Sequence, residues 1–312
     1  MSRITIICPC YNEEDALPIF YDALRERVFS AVPDAAFEVL LVNDGSKDGT
    51  LGVMKSLAER DERVRYVSFS RNFGKEAAIY AGLRNASGDY VAIMDVDLQD
   101  PPELIPEMYR RVSSGDCDCV ATRRVTRAGE PKLRSWFARV FYRLINRISD
   151  TEFVDGARDF RLMRRQMVDA ILELPEYHRF SKGLFMWVGF NTEWMEYENV
   201  QRSAGETKWS FWKLFAYAVE GIVSFSTVPL KLATMVGSMV SVAALIYMVI
   251  RVIIAMVIGN PVAGYPSLLA FILMLGGMTL LALGIIGEYV ARTYMEAKRR
   301  PIYIERESNI PK

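Results

Sequence analysis

Between residues 3 and 122 short apolar runs alternate with helical patterns, and the first four of these runs break off into polar clusters. Ile4–Cys8 ends at Pro9-Cys10-Tyr11-Asn12-Glu13-Glu14, and Phe37–Val42 ends at Asn43-Asp44-Gly45-Ser46-Lys47-Asp48-Gly49. Val64–Ser68 leads to Arg71-Asn72-Phe73-Gly74-Lys75-Glu76, Tyr90–Met94 leads to Asp95-Val96-Asp97-Leu98-Gln99-Asp100, and Cys117–Thr122 is a fifth run. Helical stretches lie between them: one with Leu17, Phe20, Tyr21, Leu24 and Val28 on a single face, one over Thr50–Arg60, one ending at Asn85. Such alternation predicts an α/β fold with a mostly parallel sheet covered on both faces. The polar clusters then share one edge, at the carboxyl ends of the strands, where open α/β sheets bind ligands. Turn propensity alone accounts for Asn, Asp, Gly and Ser there. It does not account for Glu13, Asp44, Lys75 and Asp95 standing one in each of four loops.

The fourth cluster carries the most chemistry. If the strand continues through it, Asp95 and Asp97 point to the same side with Cα atoms roughly 6–7 Å apart, and Gln99 follows at the same period. Oxygen-only donors suit a hard cation, Mg²⁺ or Mn²⁺, which in turn suits a diphosphate. Pro101-Pro102-Glu103 then opens a helix. An acidic turn after a strand is the plainer alternative. The D-x-D-x-Q extension at a carboxyl edge favours the metal.

Composition removes several classes. With 38 basic and 38 acidic residues in 312, nothing global points to nucleic acid. The single histidine, His178, excludes a multi-histidine metal site and argues against a Ser-His-Asp triad. Cys8/Cys10 and Cys117/Cys119 lack common zinc-finger spacing, so a buried structural role is expected. The first strand runs into Pro9-Cys10-Tyr11-Asn12-Glu13 rather than G-x-G-x-x-G, which sets aside a dinucleotide-binding dehydrogenase.

Tyr11-Asn12-Glu13-Glu14, Val42-Asn43-Asp44-Gly45-Ser46, Arg71–Glu76 and Asp95-x-Asp97-Leu98-Gln99-Asp100-Pro101 together resemble the family 2 glycosyltransferases. More narrowly they resemble the polyprenyl-phosphate group related to dolichyl-phosphate mannose synthase. Asp159-Phe160-Arg161-Leu162-Met163, Lys182-Gly183-Leu184-Phe185-x-Trp187-Val188-Gly189 and Gly205-x-Thr207-Lys208-Trp209 bring it nearest to the bacterial bactoprenol glucosyltransferases. The likeness spans nearly the whole chain and implies a GT-A fold. It implies that Pro9, Tyr11, Glu13 and Asp44 hold the nucleoside, with Asp44 reading the base, and that Asp95, Asp97 and Gln99 hold the metal on the diphosphate. It also implies direct displacement with inversion at the anomeric carbon. Arg158 stands where relatives usually carry Gly, a departure that bears on Asp159. Asp159 resembles the residue often proposed as general base. The attacking phosphate oxygen is already anionic, so a positioning role, toward a sugar hydroxyl or Arg161, is preferred. A helix N-cap ahead of Arg161–Leu172 is the structural alternative. The metal, with Lys75 or nearby donors, is expected to neutralise charge on the departing nucleotide.

Several stretches after residue 129 point to a membrane. Over residues 130–149, Leu133, Trp136, Phe137, Val140, Phe141, Leu144, Ile145 and Ile148 form one apolar face, with Lys132, Arg134, Arg139, Arg143 and Arg147 elsewhere. That is an interfacial amphipathic pattern, or otherwise a core-facing helix. Lys208-Trp209-Ser210-Phe211-Trp212-Lys213 is juxtamembrane in character. Within Arg202-Ser203-Ala204-Gly205-Glu206-Thr207-Lys208, Arg202 and Lys208 are placed to clamp an acceptor phosphate, with plain anchoring to anionic lipid head groups as the alternative, and the segment resembles the family's R-x-x-G-x-[ST]-K. Leu232–Ile258 and Pro266–Gly287 are long enough to span a bilayer as two transmembrane helices, and their length and low charge favour that over a pair of buried soluble helices. Lys231, Arg292, Lys298, Arg299 and Arg300 flank them while 259–265 carries no base, so both chain ends are expected in the cytoplasm. The opening strand without a signal-peptide layout agrees. Arg251 interrupts the first span and either snorkels outward or pairs between protomers, which leaves a homo-oligomer such as a tetramer open.

The expected division is a nucleotide-sugar core over 1–130, an acceptor-side part over 131–230, the spans over 231–290 and a cytoplasmic tail over 291–312. The expected activity is metal-dependent transfer of glucose from UDP-glucose to undecaprenyl phosphate at the inner membrane's cytoplasmic face. Mannose or an amino-arabinose could replace glucose. A lipid-linked-sugar translocation subunit is the rival from another class, and a processive polysaccharide synthase is disfavoured by the missing Q-x-x-R-W.

Overall fold

The computed structural model of the protein describes residues 1–124, 143, 145–149, 151, 153–174, 176–197, 223, 226–258 and 265–311. The expected mostly parallel α/β sheet is present. Its strands are β1 (Ser2–Cys10), β2 (Ala35–Asn43), β3 (Val64–Phe69), β4 (Tyr90–Ile93), β5 (Cys119–Arg124), β6 (Ala157–Arg164), β7 (Thr192–Tyr197) and β8 (Glu305–Ser308). They lie in the order β7-β5-β6-β4-β1-β2-β3-β8. β1 pairs in parallel with β2 and β4, β2 with β3, and β5 with β7; β6 runs antiparallel to β4 and β5, and β8 antiparallel to β3.

Strand alternation builds both faces of the core. Ile4, Ile6, Cys8, Val39 and Leu41 face one side, where the helix Ala16–Leu24 packs with Leu17, Phe20 and Leu24. Ile7, Leu40, Val42, Val91 and Ile93 face the other, against Lys75–Asn85, Arg165–Leu172 and Ser181–Trp187. A sheet buried on both faces needs apolar residues at both parities, which is what these runs supply. The helix Lys75–Asn85 comes very close to β1 at Gly82, where a Cβ would sit 2.2 Å from Ile7 Cγ2. The four cysteines are buried and unbridged.

Two local expectations are corrected. β4 ends at Ile93, so Asp95, Asp97 and Gln99 stand on a turn rather than alternating along a strand. Asp159 caps no helix: it lies inside β6, and the helix begins only at Arg165. The charged stretch 157–164 is a strand because its two flanking neighbours, β4 and β5, satisfy its backbone.

The chain divides into two units, one of residues 1–221 with 300–312, the other of 222–299. In the second unit Val228–Ile258 and Tyr265–Ala297 are helical. Tyr289 Oη donates to the Ser226 carbonyl (2.6 Å), and Tyr247 and Phe271 meet with ring centroids 5.9 Å apart. Large apolar side chains stand exposed along both helices, among them Met239, Ile246, Leu280 and Leu281. Among the described residues one helical stretch, Met274–Ala297, is long and apolar enough to cross a membrane, and Val228–Ala244 is a shorter apolar one. The chain's last residues return to the first unit. There β8 extends the sheet at β3, Tyr303 stacks on Phe69 at 4.8 Å, and Lys55 pairs with Glu307 at 2.8 Å. Asn309 accepts from the Tyr66 N–H (2.7 Å) and donates to the Val64 carbonyl (3.2 Å).

Candidate active site

Because β1 to β4 run parallel, their carboxyl ends deliver four loops to one sheet edge. The first two loops are laced together. Asn12, in the left-handed region at φ 57°, donates its N–H to Ser46 Oγ (3.0 Å) and accepts at Oδ1 from the Lys47 N–H (2.9 Å). Glu13 N–H donates to Thr50 Oγ1 (2.8 Å), and Glu14 Oε2 accepts from the Gly49 N–H (2.6 Å). Pro9 is at the end of β1 opposite Val42, and Tyr11 and Glu13 follow in this loop, both half-buried.

Asp44 ties the second loop to the third. It is 3% exposed, and its carboxylate accepts from the backbone N–H groups of Phe73 (2.6 Å) and Gly74 (3.0 Å). Burial raises its pKa, and the two N–H groups and Arg71 work against that rise. Gly45, at φ +63°, is required beside it: a Cβ there would sit 2.3 Å from the Arg71 carbonyl carbon. The Asp44 carboxylate therefore shapes the loop that presents Lys75.

Lys75 joins the third loop to the fourth. Its Nζ lies 2.7 Å from Asp95 and 2.6 Å from Asp159. The register explains the meeting, since Ile93 pairs with Arg161 across antiparallel β4 and β6, which places 95 opposite 159. Burial would lower the Lys75 pKa, but Asp159 and Asp95 hold it above the usual lysine range. Burial would raise Asp159, but Lys75, then Lys182 and Arg161, hold its carboxyl well below the usual carboxylate range. Asp159 is thus a carboxylate across the neutral range, paired with a cation.

The turn after Asp95 is held from the β6 side. Leu98 takes φ 55°, unusual for a branched side chain and common at ligand sites. Gln99 N–H donates to Asp97 Oδ1 (3.1 Å). Arg158 Nε donates to the buried Asp100 (2.9 Å), and Tyr197 Oη also reaches Asp100. Arg158 is therefore the anchor of this turn. Its Nη2 lies 3.5 Å from Gln99 Oε1, the expected third metal oxygen.

Among the described residues no three acidic, histidine or cysteine side chains gather into a cation site. Asp95 and Asp97 on one turn remain, and two carboxylates suit Mg²⁺ or Mn²⁺ when substrate phosphates and water complete the shell. That fits a metal which arrives with a nucleotide.

Arg161 is 1% exposed, its guanidinium 3.8 Å above the Phe185 ring, and its Nε and Nη2 donate to the carbonyls of Asp159 and Arg158. Two further groups complete the neighbourhood, both quoted within motifs above but given no role there. Glu76 accepts from the N–H (2.9 Å) and hydroxyl of Ser181, and burial, then Asp159, pushes its pKa up to about 7. Lys182 donates to the Ala157 carbonyl (3.1 Å), and burial lowers its pKa. Their neighbours Lys75 and Ser181 were the available signal: a helix start on each side carrying a charged group of opposite sign. Arg202, Lys208, the 203–215 stretch and most of the 130–149 face lie outside the described residues.

Residues 5–172 match glycosyl transferase family 2. A prophage bactoprenol glucosyl transferase homolog of Escherichia coli (strain K12) is 44% identical over 302 residues, 97% of this chain and 98% of its own length. An SfII prophage-derived bactoprenol glucosyl transferase of Shigella flexneri is 44% identical over 307 residues, 98% of each chain.

Proposed function

The chain belongs to glycosyl transferase family 2 and is a glycosyltransferase, and we propose that it transfers glucose from UDP-glucose to undecaprenyl phosphate at a membrane surface. The observation that carries the reading is the Asp95–Lys75–Asp159 array at the carboxyl edge of the sheet. It sets an anionic turn for a metal-bound diphosphate beside a cation and a fixed carboxylate. Near-full-length identity to bactoprenol glucosyl transferases supports the acceptor and the sugar.

In the proposed reaction a phosphate oxygen of the acceptor attacks the anomeric carbon. The bond from that carbon to the UDP oxygen breaks, with inversion. Asp95 and Asp97 would hold Mg²⁺ or Mn²⁺, which when bound supplies Lewis acidity toward the diphosphate. Lys75 stands ready to compensate the charge that develops on the departing UDP, the main electrostatic demand of the step. Asp159 has no proton to remove from an anionic phosphate. Its pairing with Lys75 supports a positioning role: it orients the ammonium and offers acceptor oxygens to the sugar. The loops of Tyr11, Glu13 and Asp44, laced to one another, support a preformed nucleoside seat.

The membrane reading draws support from the exposed apolar faces of Val228–Ile258 and Tyr265–Ala297 and from the base-rich stretch that follows them. Two crossings are favoured over one because β8 pairs with β3.

The full chain in detergent, given undecaprenyl phosphate and a panel of nucleotide sugars, should release UDP fastest with UDP-glucose. Faster turnover with a mannose or amino-arabinose donor would replace the sugar. No nucleotide release on adding the lipid would favour a binding or translocation subunit instead.

A further inference from the structure

The loop that delivers Lys75, residues 70–74, is held at its entry and its exit by the end of the chain. Phe69 closes β3 and leads into the loop, and the helix Lys75–Asn85 leads out of it. Tyr303 touches both. Its ring stacks on Phe69 with centroids 4.8 Å apart and planes 22° apart, and it meets Tyr80 edge-on at 6.4 Å. Its hydroxyl accepts from Asn85 Nδ2 (3.4 Å), on the last residue of that helix. The next residue adds a backbone tie: the Ile304 carbonyl accepts from the Ser70 N–H (3.0 Å), where the loop begins.

This hold is passed inward. Phe69 is buried and meets Phe73 edge-to-face at 5.8 Å, and the Arg71 guanidinium lies 4.0 Å from the centre of the Phe73 ring. The N–H groups of Phe73 and Gly74 are the two that the Asp44 carboxylate accepts. Asp44 therefore fixes the tip of the loop, and Tyr303, through Phe69, fixes its stem. The other contacts of the chain's end fall away from this loop: Asn309 on Tyr66 and Val64 toward the opposite end of β3, and Glu307 on Lys55. A cation that meets charge as it develops must stand in the right place beforehand, and a shift of about 1 Å can cost a hundredfold in rate.

We propose that Tyr303 is a positioning residue for the transfer: by gripping both ends of the loop 70–74 it sets where Lys75 stands against the departing nucleotide. The end of the chain is then part of the donor site and not only an extra strand on the sheet. This rests on the part given to Lys75 in the proposed reaction.

The test uses the full chain in detergent, with two readouts. One is steady-state kinetics with UDP-glucose and undecaprenyl phosphate; the other is amide hydrogen exchange of the segment 70–76, which needs no turnover. Tyr303→Ala should lower kcat by about ten- to a hundredfold, leave the undecaprenyl phosphate KM unchanged, and speed exchange in that segment by about tenfold. Tyr303→Phe, which keeps the ring, should restore both readouts. Asn309→Ala should lower the thermal midpoint yet leave kcat and exchange of the segment as in the wild type. In a Lys75→Met background, Tyr303→Ala should lower kcat no further, because the two act through one group. An unchanged kcat in Tyr303→Ala would overturn the proposal, as would an equal loss of kcat in Asn309→Ala, which would make the effect one of general stability. A full additional loss in the Lys75→Met background would also overturn it. If Tyr303→Ala does not fold, Tyr303→Leu, which keeps apolar bulk without the ring, takes its place. A wild type that releases no UDP would sink the transferase reading, and exchange would then decide the grip by itself: faster in Tyr303→Ala and not in Asn309→Ala keeps it, unchanged in both removes it.

Discussion

Asp95 and Asp159 face each other across β4 and β6 and share a single ammonium, that of Lys75, at 2.7 and 2.6 Å. Two carboxylates that close repel unless a cation or a proton stands between them. The helix Lys75–Asn85 begins with that cation, and Asp44 fixes the loop that delivers it. The array thus links three loops of the sheet edge, so its members should behave as a unit under mutation.

Lys75→Met should lower kcat/KM by about 10²–10³, the range seen when a preorganised donor to developing charge is removed. It should also destabilise the fold, because Asp95 and Asp159 are left facing without a counter-ion. Adding Asp159→Asn should recover stability but not activity. The pair is read by thermal melts and steady-state kinetics on the two single variants and the double, as a mutant cycle. Additive stability losses would show that the three groups are not coupled.

Asp97→Asn should abolish turnover while leaving the thermal midpoint close to wild type, since it removes a charge from a turn and no core volume. EDTA should reproduce the loss, and Mg²⁺ or Mn²⁺ should restore it. Full activity in EDTA would remove the metal from the mechanism.

Which parts of this arrangement were legible follows physical lines. β1 to β4 and the helix Thr50–Arg60 show in the sequence because buried parallel strands are continuous apolar runs ending in polar loops. β6 does not, because Arg158, Asp159, Arg161 and Arg164 break the apolar run. Their charges are met by Asp100, Lys75 and backbone carbonyls that only the folded sheet supplies. β8, Glu305-Arg306-Glu307-Ser308, has no apolar pattern at all, since an edge strand joins through its backbone. At the site, the acids were legible as types at the right edge. The turn geometry of Asp95–Gln99 and the bridging by Lys75 were not, since both depend on the β4–β6 register.

The pKa of Glu76, raised to about 7 in the folded protein, gives a pH signature of opposite sign to the usual carboxylate. Between the unfolded value, about 4.3, and 7 the folded state holds a proton that the unfolded state has lost. This group's contribution is therefore best at low pH, falls as pH rises toward 7, and stays low above. Glu76→Gln keeps an acceptor for Ser181 and removes the titration. Its stability relative to wild type should be more favourable at pH 8.5 than at pH 5, by on the order of 1–2 kcal/mol after allowance for solvent screening. Parallel stability curves from pH 5 to 8.5 would refute the assignment.

Removing residues 301–312 should cost about 2–4 kcal/mol, through the lost Tyr303–Phe69 stack, the β3–β8 ladder and the exposed β3 edge. Asn309→Ala alone should cost about 1–2 kcal/mol, for two hydrogen bonds to the β3 backbone. Chemical denaturation of the detergent-solubilised chain reads both. A truncated chain as stable as the full one would mean the strand adds nothing.

The same strand constrains topology. β8 and β3 share a sheet, so the chain's end and its catalytic unit lie on one side of any membrane. Residues 222–299 must then cross an even number of times. A single crossing by Met274–Ala297, the stretch that meets the length and composition requirement, would strand β8 on the far side. If that stretch crosses, Val228–Ile258 must cross as well, and the connector before Tyr265 emerges opposite the active site. If they cross, the positive charge at Arg292, Lys298, Arg299 and Arg300 favours the cytoplasm for the catalytic side, which is what the labelling experiment tests. Cysteine mapping is favourable because Cys8, Cys10, Cys117 and Cys119 are buried, which keeps background labelling low. In intact cells an impermeant maleimide should label Val262→Cys and not Pro311→Cys, and both should label once the membrane is opened. Labelling of Pro311→Cys from outside would reverse the orientation, and no outside labelling at either position would mean that the two helices lie along the surface rather than across it.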